Sequence, residues 1–226
     1  MKTLILPDIH TGYARAEAII SKEKSNKILF LGDYFDAFYD TLEQTQQTAE
    51  WLKRSLKDPK RIHLLGNHDL AYLNQDFICS GFTENKLIVI KDTGVDLTKL
   101  IHYYWVGDWL CTHAGLSNDF FNAYNYKGIT VDKFLKELES DKDGKKRLYD
   151  CSSFRGGGDA FSGIVWCDYL EFVDIPRVKQ VFGHTKGEVR HKKNSDSEHY
   201  CIDSGLRSYC IYDSKTEEMK IKSNES

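Results

Sequence analysis

Arg61-Ile62-His63-Leu64-Leu65-Gly66-Asn67-His68-Asp69 opens as a short, mostly apolar run and ends as a cluster of chemistry. The first half is what a buried β-strand looks like, and the second half turns abruptly to an amide, an imidazole and a carboxylate behind a glycine. Four other runs make the same turn. Thr3-Leu4-Ile5-Leu6 precedes Asp8 and His10, and Lys27-Ile28-Leu29-Phe30-Leu31 precedes Asp33 and Asp36. Trp109-Leu110-Cys111-Thr112 precedes His113, and Val178-Lys179-Gln180-Val181-Phe182 precedes His184. In layered α/β folds, sites gather beyond the carboxyl ends of strands, where a rigid backbone aims side chains from loops. Turn chemistry alone explains any one Asp or Asn after a strand; five such endings in one chain point to a shared site.

The segments between the strands read as helices. Thr41 to Leu56 opens on a Thr41-x-x-Gln44 capping box and carries Leu42, Ala49, Leu52 and Leu56 along one face. Val131, Phe134, Leu135 and Leu138 stand at helical spacing behind Thr130 as N-cap. Gly107-Asp108 is a two-residue hairpin turn between Tyr103–Val106 and Trp109–Thr112. Strands follow at Tyr200–Ile202, Tyr209–Tyr212 and Met219–Ile221, and the polar stretch Ser140–Arg147 reads as a solvated loop. The order is βαβ first and β-rich later. With no internal repeat and no linker, residues 1–226 read as a single domain.

Composition narrows the function. The 226 residues carry 31 Lys and Arg against 34 Asp and Glu, a net charge of −3, so the broad basic face of an extended nucleic-acid footprint is not expected. Hydrophobic residues at 41% and aromatics at 13% exclude a disordered chain. No apolar stretch nears the roughly 20 residues of a membrane span, and Pro7-Asp8 cuts the opening apolar residues too short for a signal peptide. The six cysteines form no C-x-x-C pair, which favours reduced thiols and a cytoplasmic protein. Arg190-His191-Lys192-Lys193 and Lys145-Lys146-Arg147 read as solvated charge, and His63, His102, His191 and His199 as satisfied or solvated histidines.

Asp8, His10, Asp33, Asn67, His113 and His184 together form a mixed nitrogen and oxygen donor set, suited to Mn²⁺, Fe or Zn²⁺ rather than to a thiolate site. Six candidates are too many for one open catalytic metal and suit two that share a carboxylate, a recurrent device for attack at phosphorus.

Asp8-Ile9-His10, Gly32-Asp33-Tyr34-Phe35-Asp36, Gly66-Asn67-His68-Asp69, Thr112-His113-Ala114-Gly115 and Gly183-His184-Thr185 resemble, in order, the motifs of the calcineurin-like metallophosphoesterase superfamily. The resemblance spans residues 8 to 184 and implies a four-layered α-β-β-α sandwich. It implies that Asp8 and His10 hold one metal, that Asp33 bridges, and that Asn67, His113 and His184 hold the second, with Mn²⁺ the first expectation. It makes His68 the acid for the leaving oxygen, Asp36 its orienting carboxylate, and a metal-bridging hydroxide the in-line nucleophile. Many members carry a further histidine where this chain has Lys186. The single-histidine ending is closer to the phosphoprotein-phosphatase and diadenosine-tetraphosphatase branch, yet Ala37 stands where that branch usually has arginine. Phe154-Arg155-Gly156-Gly157-Gly158 is similar to that branch's arginine loop, which makes Arg155 a candidate phosphate clamp, with a surface ion pair as its alternative.

The expected function is therefore hydrolysis of phosphate monoesters, on a phosphorylated protein, nucleotide or small molecule. Dinucleoside-polyphosphate hydrolysis is the second reading and phosphodiester cleavage the third; a non-catalytic scaffold is the rival from outside enzymology. Asp69 is expected to serve a turn or support the ligands, and Asp203 to turn the backbone near the site.

Overall fold

A computed structural model describes residues 1–224. Two five-stranded sheets form its centre. The first runs in the order β10(Glu218–Ser223), β9(Ser208–Asp213), β1(Lys2–Leu6), β2(Lys27–Phe30), β3(Arg61–His63). The second runs β4(Tyr103–Val106), β5(Trp109–Thr112), β6(Lys179–Phe182), β8(Glu198–Cys201), β7(Arg190–Lys193). β1, β2 and β3 are parallel, as are β5, β6 and β8, so all five chemistry-bearing loops leave strands that run parallel within their sheet.

Side-chain alternation builds the layers. Ile5, Leu29, Cys210 and Tyr212 from the first sheet pack with Trp109, Cys111, Val181 and Tyr200 from the second, closing the seam between the sheets. Their neighbours Leu4, Leu6, Ile28 and Phe30 belong instead to the cluster with Ala16, Ile19, Ala49 and Leu52 of α1(Tyr13–Glu23) and α2(Leu42–Ser55). Leu110 joins the same cluster as Phe120 of α5(Asn118–Tyr124) and Phe134 and Leu135 of α6(Val131–Ser140). A strand's period of two sends alternate residues to opposite faces, so each sheet has one face for its partner and one for helices. The result is the expected α-β-β-α sandwich.

Local signals fared unevenly. The Thr41–Gln44 capping box forms, with Gln44 N donating to Thr41 Oγ1 at 3.2 Å and Thr41 N to Gln44 Oε1 at 2.8 Å. The face of α2 is shifted from the expected one: Trp51 is buried and Leu42 is exposed. The Gly107-Asp108 hairpin pairs Val106 with Trp109. Two readings need correction. Ser140–Arg147 is not a loop, because α6 runs to Ser140 and the Asp141 carboxylate caps Gly144 N at 2.6 Å to start α7(Lys142–Arg147). Arg190–Lys193 is an edge strand as well as solvated charge; its basic side chains protect that edge from further pairing. Thr130 precedes α6 without a side-chain cap.

Candidate metal centre

Each expected ligand sits just past its strand. Asp8 and His10 follow β1, Asp33 follows β2, Asn67 opens α3(Asn67–Leu73) after β3, and His113 and His184 follow β5 and β6. The two sheets bring all six together. His113 Nε2 lies 3.0 Å from Asn67 Oδ1, 3.2 Å from His184 Nδ1 and 3.4 Å from Asp33 Oδ2. His10 Nε2 stands 3.7 Å from the same Asp33 oxygen. The donors fall into two groups, Asp8-His10-Asp33 and Asp33-His113-His184, each with its ligand atoms within 4.8 Å of one another and with Asp33 in common.

Backbone carbonyls prepare two of the imidazoles. Phe35 O lies 2.9 Å from His10 Nδ1, and Leu31 O lies 2.9 Å from His113 Nδ1. A carbonyl only accepts, so each Nδ1 carries the proton and each Nε2 turns its lone pair inward. Asp69 is not among the converging ligands. Its carboxylate accepts from the backbone of Asp33, Tyr34 and Gly66 at 2.8, 2.8 and 3.0 Å, tying the β2 and β3 loops together. Asp8 accepts from His184 N through both oxygens at 3.1 Å, tying β1 to β6 across the seam. The backbone is strained here: His10, Asp33, Asp36 and His184 hold left-handed φ values of 41°, 50°, 63° and 67°. Such residues cost about 1 kcal/mol or more each and persist where the surroundings over-determine them.

The electrostatics ask for a cation. Burial pushes the Asp8 carboxyl well above the usual range, helped by Asp203 and Asp33. Burial would raise Asp33 too, but His113, His68 and His10 outweigh it and hold Asp33 well below. Burial would depress His113, yet the charges of Asp33 and Asp8 push it up to about 9. His184 is pushed well down by burial and by the neighbouring His113 and Arg155. One buried knot thus holds two carboxylates, an amide oxygen and three imidazoles, and His184 Nε2 has no hydrogen-bond partner among the described residues. Lone pairs crowded this closely repel unless protons or cations sit between them, so the donor set fits divalent metal.

Beside this knot, His68 Nδ1 lies 3.0 Å from Asp36 Oδ2. Burial would lower His68, but Asp33 and the hydrogen bond to Asp36 push it up to about 11. Two partners of Asp36 had no sequence signal strong enough to find them: Tyr72 donates to Oδ1 at 2.6 Å and Lys86 Nζ at 2.9 Å. Arg155 is ion-paired through Nε to Asp168 at 2.7 Å and donates from Nη2 to Thr185 Oγ1 at 3.0 Å. It also lines the cavity over the metal residues, so the ion pair and the cavity position coexist.

That cavity has a volume of about 1070 Å³ and is also lined by Arg15, Phe38, Cys79, Lys186 and Asp203. Lys186, in place of a further histidine, lies 5.6 Å from the centre of the Phe38 ring. Asp203 does turn the backbone, accepting from Gly205 N at 3.1 Å, but it is also buried beside Asp8. Only the isolated position of Asp203-Ser204-Gly205 behind a strand hinted at this.

No curated protein matches the chain. Among solved structures, the cold-active protein-tyrosine phosphatase of a psychrophilic Shewanella species is 18% identical with a TM-score of 0.57, covering 97% of this chain and 80% of its own. A protein serine/threonine phosphatase from Saccharomyces cerevisiae is 12% identical with a TM-score of 0.56, covering 100% and 80%. At such identities the likeness speaks for the fold. The model of a family of metal-dependent hydrolases matches residues 1–187, which takes in every motif from Asp8 to His184, and on that match the chain belongs to the calcineurin-like phosphoesterase family.

Proposed function

We propose that the chain, working as one domain over residues 1–226, is a binuclear metal-dependent phosphatase acting on phosphate monoesters. The observation that carries this reading is the pair of donor groups sharing Asp33 beside a histidine–carboxylate pair. Asp8, His10 and Asp33 would hold one ion, and Asp33, Asn67, His113 and His184 the other, with Mn²⁺ the first candidate and Fe or Zn²⁺ behind it. Bound there, the ions would supply the nucleophile and the positive charge that phosphoryl transfer needs.

The chain's own residues supply the rest. His68 keeps its Nδ1 proton on Asp36 and presents Nε2, from which a proton passes to the leaving alkoxide oxygen. Asp36 fixes the ring and stabilises its cationic form. Arg155 offers a guanidinium edge to equatorial phosphoryl oxygens, oriented by Asp168 and Thr185. The six cysteines are free thiols, which supports a reducing, cytoplasmic setting. A second reading, hydrolysis of a dinucleoside polyphosphate, draws support from the cavity's size and from Arg15 and Lys186 along its wall.

The test is hydrolysis of p-nitrophenyl phosphate beside bis-p-nitrophenyl phosphate with Mn²⁺, using Asp33→Asn and His68→Asn. Monoester turnover that Asp33→Asn abolishes together with metal, and that His68→Asn lowers about 10²–10⁴-fold with metal retained, is the expected result. Preference for the diester would replace the reading with a phosphodiesterase. Silence on both with metal bound would favour the dinucleoside polyphosphate.

A further inference from the structure

Cys79 lies in the loop between the 3₁₀ turn Gln75–Phe77 and α4(Glu84–Thr93), half-buried and on the cavity wall. Its sulfur is 3.7 Å from His68 Nδ1, on the side of the ring that faces Asp36. Cys79 Sγ, His68 Nδ1 and an Asp36 oxygen all lie within 4.8 Å of one another, a third donor group that shares no residue with the two around Asp33. Tetrahedral zinc, with bonds of about 2.0–2.3 Å, sets its ligand atoms about 3.4–3.6 Å apart. The sulfur–nitrogen separation already matches, and the 3.0 Å nitrogen–oxygen separation needs to open by a few tenths of an ångström. Lys86 and Tyr72 occupy Asp36 Oδ1 and leave Oδ2 to face the group. With Cys79 ionised, the carboxylates of Asp36 and Asp40, the Lys86 ammonium and the thiolate leave two negative charges, which a dication cancels.

We propose that Cys79, His68 and Asp36 form an inhibitory site for a thiophilic divalent cation, zinc foremost. Binding breaks the Nδ1–H and S–H bonds, releases both protons to solvent and forms the metal–nitrogen, metal–sulfur and metal–oxygen bonds, with no change of oxidation state. The His68 ring is then neutral with its remaining proton on Nε2, and losing that proton would make an imidazolate. The group that should protonate the leaving oxygen is disabled while the donors around Asp33 are untouched. Inhibition rests on the reading of His68 as proton donor; the binding itself does not.

Zinc is titrated into the full chain held in excess Mn²⁺, and zinc content after equilibrium dialysis is compared with that of Cys79→Ser. The expected result is one more zinc per chain in the wild type. Turnover of p-nitrophenyl phosphate should fall with that zinc, at a midpoint at least about 100-fold below that of Cys79→Ser, since even outer-shell partners are worth about 10–100-fold in affinity. Cd²⁺ in place of zinc should give a sulfur-to-metal charge-transfer band in the wild type alone. Equal zinc content in the two proteins, or bound zinc without inhibition, would overturn the proposal. A chain with no turnover under any metal would overturn the functional reading instead, and the zinc count and cadmium band would still decide whether the site exists.

Discussion

Lys86 and His68 share the carboxylate of Asp36 from opposite oxygens: Lys86 Nζ lies 2.9 Å from Oδ1, and His68 Nδ1 lies 3.0 Å from Oδ2. Lys86 also reaches Asp40 at 2.7 Å and the Gly81 carbonyl at 3.1 Å, so all three ammonium protons are engaged. Burial would raise Asp36, but His68, Tyr72 and Lys86 hold it below its usual range. Lys86→Met leaves two buried carboxylates without their cation, which typically costs 3–5 kcal/mol. Urea unfolding should show a loss of about 3 kcal/mol. The acid limb of kcat against pH should move upward as Asp36 becomes easier to protonate. An unchanged unfolding midpoint and an unmoved limb would mean that Lys86 is dispensable to the pair.

Arg155 divides two roles by its nitrogens. Nε serves Asp168 and Nη2 serves Thr185, while the side chain also borders the cavity. A hydrogen bond to a charged group is worth about 1.5–3 kcal/mol, or about 10- to 100-fold in rate. Arg155→Ala should therefore lower kcat/KM for a monoester by about 10- to 100-fold, with bound metal per chain unchanged. A loss within twofold would leave Arg155 as the structural partner of Asp168 alone.

The strand-end residues were legible because period, turn and chemistry coincide there. An apolar run that ends in Gly-Asn-His-Asp can satisfy its sequence pattern only by leaving a sheet at the site. The supporting residues were not legible for equally physical reasons. Lys86 stands in an ordinary polar helix whose neighbours Asn85 and Leu87 give no hint that it turns inward, and its partner Asp36 is fifty positions away. Cys79 follows no strand and belongs to no spaced pair. Arg190–Lys193 carries four basic or polar side chains, so charge masked a strand whose backbone pairs with β8. Ser140–Arg147 hid a helix because Asp141 ends one helical segment's pattern and caps the next. Pattern reading finds groups that lie next to their element's boundary and misses those that tertiary packing alone recruits.

Glycine is required at two motif positions because carboxylates lie where a side chain would grow. A Cβ on Gly183 would fall 2.0 Å from Asp8 Oδ1, and one on Gly66 would fall 2.1 Å from Asp33 Oδ1. Gly183→Ala must therefore displace Asp8 from the His184 amide. Bound Mn²⁺ per chain, measured by elemental analysis, should drop while far-ultraviolet circular dichroism holds. Gly158→Ala, where a Cβ meets nothing within 4 Å, is the control and should keep its metal. Full metal content in Gly183→Ala would show that Asp8 does not need this seat.

His63 offers a pH dependence away from the metal residues. Its ring is buried, stacks on Phe30 at 4.4 Å, and meets Ser55 Oγ and Tyr34 OH at 2.9 Å each. Burial, with Arg61 adding to it, pushes His63 down to about 3. The unfolded chain takes up this proton below about pH 6.5 and the folded chain refuses it until about 3, so the unfolded state binds more protons throughout that window. Stability from this residue is therefore complete above pH 6.5 and drains as the pH falls toward 3, by at most about 1.4 kcal/mol per unit. His63→Gln removes the titration. Between pH 6.5 and 4, its unfolding free energy should decline on the order of 3 kcal/mol less than that of the wild type. The variant should start lower at pH 7, because the amide cannot reproduce both hydrogen bonds and the stack on Phe30. Parallel pH profiles for the two proteins would show that the buried ring is already protonated in the native state, or that acid unfolds the chain through other groups first.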